Sequence, residues 1–123
     1  MKDFIWSYGR VSATFWMPAA DIYENDREVM IFVDMAGVDP DQVKISVENR
    51  GIVITGERPS PCPGGVMRIH QMEIDAGVFR RRIPLPVSVD FDNIRCTYKN
   101  GFLQMVLPKK PRQGAVRIPV ESE

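Results

Sequence analysis

The sequence predicts an all-β protein, an antiparallel β-sandwich of about seven to nine strands with flexible arms at both ends. Apolar and polar residues alternate with a period of two along most of residues 19–108. Turn residues interrupt this alternation at short intervals, and no window shows the apolar stripe of an amphipathic helix. A chain of 123 residues, of which 44% are hydrophobic, is long enough to bury the core of one such domain.

The predicted strands each present apolar residues on one face, as half-buried strands do. In chain order these residues are Val29, Ile31, Val33 and Met35; Val43, Ile45 and Val47; Ile52 and Ile54; Ile94, Cys96 and Tyr98; and Leu103, Met105 and Leu107. Two hairpin turns separate four of these strands. Asn100-Gly101 is a strong hairpin signal because both residues tolerate a positive φ, and Asn49-Arg50-Gly51 closes a second hairpin.

Residues 58–72 interrupt this pattern with a different composition. Prolines and glycines crowd residues 59–65, and they are poorly suited to the interior of a sheet. We therefore expect a loop that projects from the sandwich. The following residues 66–72 are apolar enough for a marginal edge strand.

The two ends of the chain differ from the middle in composition. The composition of residues 1–18 predicts a short N-terminal arm that must bury its aromatic side chains against its own core, another subunit or another protein. Its candidate contact residues are Phe4, Ile5, Trp6, Tyr8, Phe15 and Trp16. Residues 109–123 predict a C-terminal extension, rich in Pro and Lys, that ends in Ile118-Pro119-Val120. Pro119 favours an extended backbone at Ile118, so the two aliphatic side chains are pre-organised to point the same way.

The charge balance argues against nucleic acid or a membrane as a partner. Sixteen basic and sixteen acidic side chains cancel, so no global field attracts polyanions. The charges are unevenly placed, however: residues 21–48 hold eight acidic side chains, whereas Arg80-Arg81-Arg82 and the C-terminal extension are basic. This asymmetry either orients one subunit against another or forms solvated faces.

Catalytic, metal and cofactor sites are not expected. The two cysteines, Cys62 and Cys96, fit neither a disulfide framework nor a zinc pattern, and His70 is the single histidine. Cys62, between two prolines, is a candidate redox thiol. No stretch has the apolar length of a signal peptide or a membrane span, so we expect a cytoplasmic protein.

Several short motifs, in order, resemble the α-crystallin domain of small heat-shock proteins. The resemblance covers roughly residues 16–120, although each motif alone is weak. The motifs are Asp21-Ile22-Tyr23-Glu24; Ala36-Gly37; Ile52-Val53-Ile54-Thr55-Gly56-Glu57-Arg58; Gly77-Val78-Phe79-Arg80-Arg81; Leu85-Pro86; Tyr98-Lys99-Asn100-Gly101-Phe102-Leu103; Leu107-Pro108-Lys109; and Ile118-Pro119-Val120. The sequence departs from the family in its short arm, its Pro- and Gly-rich loop, and Pro84, where relatives commonly have Arg.

The resemblance implies an immunoglobulin-like sandwich and an ATP-independent holdase that binds unfolding proteins and assembles into dimers and higher oligomers. It implies that the tail motif Ile118, Pro119 and Val120 docks in a groove. The groove candidates are Val43, Ile45, Val47, Ile94 and Cys96. The dimer-interface candidates are Val66, Arg68, Ile69, His70, Met72, Arg81, Ile22 and Tyr23. Arg81 has the same parity as Phe79 and Ile83, so its charge needs a partner or an interface.

Three other function classes stay open from the sequence. A p23-like co-chaperone or scaffold module would bind a folded partner protein, and it predicts an acidic tail without an apolar motif. A thiol enzyme would use Cys62. An adhesive immunoglobulin-like module fits poorly with the missing signal sequence and disulfide. The tail is basic and carries the apolar residues Ile118 and Val120, so it favours the holdase function over the p23-like class.

Overall fold

Seven strands form two antiparallel sheets in the computed structural model, which describes residues 16–111 and 118–122. The strands are β1 Ala20–Glu24, β2 Glu28–Asp34, β3 Lys44–Glu48, β4 Gly51–Arg58, β5 Gly77–Pro84, β6 Arg95–Lys99 and β7 Phe102–Pro108. Short 3-10 helices, Pro40–Gln42 and Phe91–Asn93, precede β3 and β6. The predicted all-β sandwich is confirmed.

The order of the strands decides which of them have a hydrogen-bonded neighbour on both sides. One sheet has the order β1-β2-β7-β6 and the other the order β3-β4-β5. Strands β2, β7 and β4 are therefore central, whereas β1, β6, β3 and β5 are edges. The chain that leads into β1 runs along β5, where the Trp16 amide donates to the Val78 carbonyl at 3.0 Å. The β1 and β5 edges thus share one side of the sandwich, which leaves β6 and β3 on the other.

The core is built from the inward-facing residues of the central strands. The predicted inward side chains of β2, β4 and β7 are all buried, which confirms the alternation in β2 and β7; in β4 the outward-facing Val53 is buried as well, with 2% of its surface exposed. The buried core residues of these three strands are Val29, Ile31, Val33, Ile52, Ile54, Leu103, Met105 and Leu107. Phe79 and Ile83 of β5 join this cluster. Burial of apolar surface contributes about 25 cal/mol per Å², so this cluster is the main stabilising feature of the domain.

Both predicted hairpins are confirmed by their backbone angles. Asn100 and Gly101 have φ values of 54° and 82°, and Asn49 and Arg50 have values of 47° and 62°. Two successive positive φ values are typical of the type I′ turn, whose twist matches that of the flanking strands. Arginine rarely adopts this conformation. The guanidinium of Arg82 donates to the Asn49 carbonyl at 3.2 Å and so helps to hold the turn.

The domain extends a few residues beyond the predicted bounds of 19–108. Trp16, predicted to belong to the client-binding arm, is buried with 8% of its surface exposed and is part of the core. It is anchored there because its amide pairs with β5. At the other end, the Lys109 amide donates to the Arg27 carbonyl at 2.8 Å. The side-chain ammonium of Lys109 lies 2.6 Å from the Glu24 carboxylate. The other predicted arm residues lie outside the described part of the chain.

The projecting loop contains no strand. Residues 59–76 connect β4 to β5, and the predicted edge strand at 66–72 is not formed. A strand needs a neighbour for its backbone hydrogen bonds, and none of the strands in the described residues pairs with the loop. The loop instead exposes apolar side chains, namely Val66, Met67, Ile69, Met72 and Ile74.

Candidate assembly and client-binding surfaces

The predicted tail-binding residues lie along the open side of the sandwich, between β3 and β6. Pairing places Ile45 opposite Ile54 and Val47 opposite Ile52, so both side chains face inward. They nevertheless stay 36% and 46% exposed, because β3 is an edge and this side of the interior is unsealed. Val43 is half-buried against the core just before the strand.

Strand β6 is the other edge on this open side, which is the candidate groove. Cys96 pairs with the buried Met105, which turns its thiol toward the interior, while Ile94 is half-buried against the core. Cys96 keeps part of its surface in solvent, yet partial burial raises the pKa of its thiol. A raised pKa keeps a thiol protonated and poorly nucleophilic. In this groove Cys96 therefore behaves as a small apolar residue.

Tyr98 is a groove residue that the sequence-based list left out. It pairs with Leu103 and so shares the inward face of β6 with Cys96. Its hydroxyl donates to the Met35 carbonyl at 3.0 Å, which ties β6 to the residue that follows β2. The alternation of Ile94, Cys96 and Tyr98 was the available signal. An aromatic side chain with its polar end satisfied in this way forms a rigid end to the groove.

The tail motif is fully available for docking. Ile118 and Val120 are 77% and 92% exposed, on either side of Pro119. Because residues 112–117 are not described, the path from the domain to the motif is outside this description. Docking of the motif in a groove stays a prediction.

The predicted dimer-interface residues fall on two separate surfaces. Ile22 and Tyr23 lie on edge strand β1, and both are exposed. The loop residues Arg68, Ile69, His70 and Met72 are also exposed, and they line one cavity of about 600 Å³ with Cys62 and other residues of the same loop. Val66 is exposed on this loop as well. In one chain the structure does not bring the loop and β1 together.

Arg81 lies on the same face of β5 as Phe79 and Ile83. Both neighbours are buried, while Arg81 is half-buried. Its guanidinium donates to the Pro18 carbonyl at 3.2 Å. This hydrogen bond satisfies part of its polar surface within the chain, and a role of Arg81 at a dimer interface stays a prediction.

A cluster around Trp16 fastens the base of the projecting loop. The Trp16 ring packs edge-on against Phe79, with centroids 5.2 Å apart, and the Arg58 guanidinium lies 3.8 Å from the Trp16 ring centroid. Arg58 also donates to the Asp75 carbonyl at 2.8 Å, so it links the two ends of the loop. Gly56 leaves room for Phe79, because a Cβ there would lie 2.8 Å from the ring. Sequence reasoning missed this cluster, because its members are far apart along the chain.

Within residues 16–111 and 118–122, no three His, Cys, Asp or Glu side chains group as a metal site would require. Over the same residues there is no helix with the length and apolar character needed to cross a membrane. Cys62 is exposed and forms no disulfide.

A model of the Hsp20/alpha crystallin family matches residues 21–121. The chain belongs to this family. It is 30% identical over 117 residues to spore protein SP21 of Stigmatella aurantiaca, covering 95% of this chain and 69% of the relative. It is 39% identical over 89 residues to a 19.0 kDa class II heat shock protein of Oryza sativa subsp. japonica, covering 68% of this chain and 51% of the relative. The chain thus spans about half to two thirds of the length of these two relatives.

Solved structures agree with the sandwich described above. A small heat-shock protein from Xylella fastidiosa, reported to have a distinct high order structure, superimposes with a TM-score of 0.73 at 29% identity, covering 89% of this chain and all of that one. The Oryza sativa and Xylella fastidiosa relatives are named heat shock proteins, which supports a small heat-shock chaperone role for this member of the Hsp20 family.

Proposed function

We propose that this protein is an ATP-independent holdase, which covers apolar segments of unfolding proteins and so prevents their aggregation. The observation that carries this proposal is the apolar surface left open at edge strand β3, on the side of the sandwich that β3 shares with β6. There Ile45 and Val47 face the interior yet keep 36% and 46% of their surface exposed. An extended client segment, or the tail of another copy, would cover this surface.

Hydrophobic burial supplies the driving force of the proposed binding. Each Å² of apolar surface that is covered contributes about 25 cal/mol, independently of the client sequence. The loop adds further exposed apolar side chains, including Met67 and Ile69. Methionine adapts its shape to varied partners, which suits a chaperone that binds many clients. No nucleotide enters this mechanism.

The proposed assembly is a homodimer that joins into larger homo-oligomers. Strand β1 is an edge, and unpaired edges readily accept another strand. The exposed loop residues 66–72 of a second copy have the apolar character and the unused backbone groups to pair there. The tail motif would then connect one dimer to the groove of the next.

Holdase activity predicts a direct result in an aggregation assay. A heat-aggregating model enzyme should scatter less light at equal mass of this protein, equally with and without ATP. Replacing Ile45 and Val47 with serine should reduce this suppression, because both apolar side chains leave the groove. The control replaces Lys44 and Glu48, which are exposed on the same strand, with alanine. No suppression by the wild-type protein would refute the proposed function.

Deletion of residues 60–70 should convert dimers into monomers, because it removes most of the segment proposed to pair with β1 of the partner. Sedimentation velocity measures the change. Cys62→Ser in the complete loop is the control and should stay dimeric, which also excludes a disulfide as the link. A deletion variant that remains dimeric would place the interface elsewhere, along the β5 edge.

A further inference from the structure

The outer face of the four-stranded sheet is unusually apolar. Antiparallel sheets commonly place apolar residues toward the core and polar residues toward water. Here the strand register places five apolar side chains on the outer face, namely Tyr23, Met30, Phe32, Phe102 and Val106. Tyr23 and Phe102 are 52% and 49% exposed, and the other three are half-buried. Tyr23 packs edge-on against Phe32, with ring centroids 5.9 Å apart.

The charges on this outer face are separated by sign. The acidic residues Asp21, Glu28 and Asp34 lie on β1 and β2, whereas the basic residues Arg95 and Lys99 lie on β6. Arg95 approaches Glu28 only to 3.9 Å, and its side chain stays 72% exposed. On this surface, acidic and basic side chains therefore lie on opposite halves.

The charge pattern of this outer face is self-complementary. A two-fold axis in the plane of the face, parallel to the strands and between β2 and β7, would set the acidic half of one copy against the basic half of another. Met30 of one copy would then face Val106 of the other copy, the same residue with which it pairs within its own sheet. We propose that this outer face binds the same face of a second copy, as an isologous contact between dimers. The inference rests on the assembly proposed above and adds a contact that neither the tail nor the loop makes.

The size of the face suits a supporting contact. Four strands about 4.8 Å apart, with about five residues each at 3.4 Å, give a surface of roughly 15 to 20 Å on each side. A stable isolated complex buries about 800 Å² per partner, which is more than this face offers. The contact is thus weak alone and strengthens when other links already hold two dimers at high effective concentration.

Charge reversal tests the proposal through two complementary variants. Asp21→Lys with Asp34→Lys makes the face predominantly basic, with Glu28 as its one remaining acidic side chain, and Arg95→Glu with Lys99→Glu makes it uniformly acidic. Each variant alone should form smaller particles than the wild type, with dimer–dimer association weakened by about tenfold or more at low ionic strength. An equimolar mixture should restore the particles, because opposite faces then meet. Sedimentation velocity gives the sizes, and native mass spectrometry with one isotopically labelled variant gives their composition.

The matched control is Lys44→Glu with Arg80→Glu, which applies the same charge change to the outer face of the three-stranded sheet and should leave assembly unchanged. Far-UV circular dichroism checks that every variant folds. Unchanged particles in both charge variants, a mixture that does not reassemble, or a wild type that is only a dimer each overturn the proposal. If both variants form smaller particles and their mixture does not restore the large ones, the face has another occupant, such as residues 1–15 or a client. Aggregation assays on the same samples report separately on the holdase function.

Discussion

Replacing both Ile118 and Val120 with alanine should reduce the proposed large particle to dimers while leaving the sandwich folded. Both side chains are highly exposed and lie on either side of Pro119, which limits the entropy they lose on docking. Full burial of each would contribute about 1.5 to 3 kcal/mol, so one tail binds weakly and exchanges. Several tails in a closed assembly act together, which is why removing this motif should have a large effect.

Size-exclusion chromatography with light scattering measures this change, and far-UV circular dichroism checks the fold. The matched control replaces Glu121 and Ser122, the next two residues, with alanine and should retain the large particle. An unchanged particle in the Ile118→Ala, Val120→Ala variant would show that another contact, such as the arm, holds the assembly. A wild-type protein that is already only a dimer would mean that the tail docks in its own subunit or serves clients.

Trp16→Ala should destabilise the domain by about 3 kcal/mol, at the lower end for removal of a buried aromatic side chain. The loss removes the edge-on contact with Phe79 and uncovers the Arg58 guanidinium. The lower end is expected because Trp16 precedes the first strand, where the backbone can partly close the cavity. A loss of this size is a large fraction of the 5 to 15 kcal/mol that typically stabilises a domain.

Urea unfolding measures this difference in the free energy of unfolding. Trp16→Phe keeps an aromatic ring against Phe79 and should cost about 1 kcal/mol. Met17→Ala is the neighbouring control: its side chain is 64% exposed, so its effect should stay within about 0.5 kcal/mol. Equal effects of Trp16→Ala and Met17→Ala would contradict the place of Trp16 in the core.

Stability and assembly can be separated by combining these variants. The Trp16 cluster fastens the two ends of the loop through Arg58, whereas the tail motif lies beyond the domain. Trp16→Ala is therefore expected to lower the free energy of unfolding, and the tail variant is expected to leave it unchanged. The contrast distinguishes a loss of fold from a loss of contacts between subunits.

The sequence by itself determined the fold class and the family, because both depend on local patterns. Alternation follows from the two-residue period of a strand, and it predicted the inward buried residues of β2, β4 and β7 correctly, although it did not predict the burial of Val53 on the other face of β4. The Asn100-Gly101 and Asn49-Arg50 turns were predictable because a positive φ is a property of individual residues and their neighbours.

Only the tertiary structure decided in which of these strands the inward-facing side chains are buried. Ile45 and Val47 alternate in the same way as Ile52 and Ile54, yet the first pair is exposed and the second is buried. The difference arises because β3 is an edge and β4 is central, and the order of strands depends on pairing between distant parts of the chain. The same reason explains Trp16, whose partners Arg58 and Phe79 are distant in sequence. It also explains residues 66–72, for which the described part of one chain provides no partner strand.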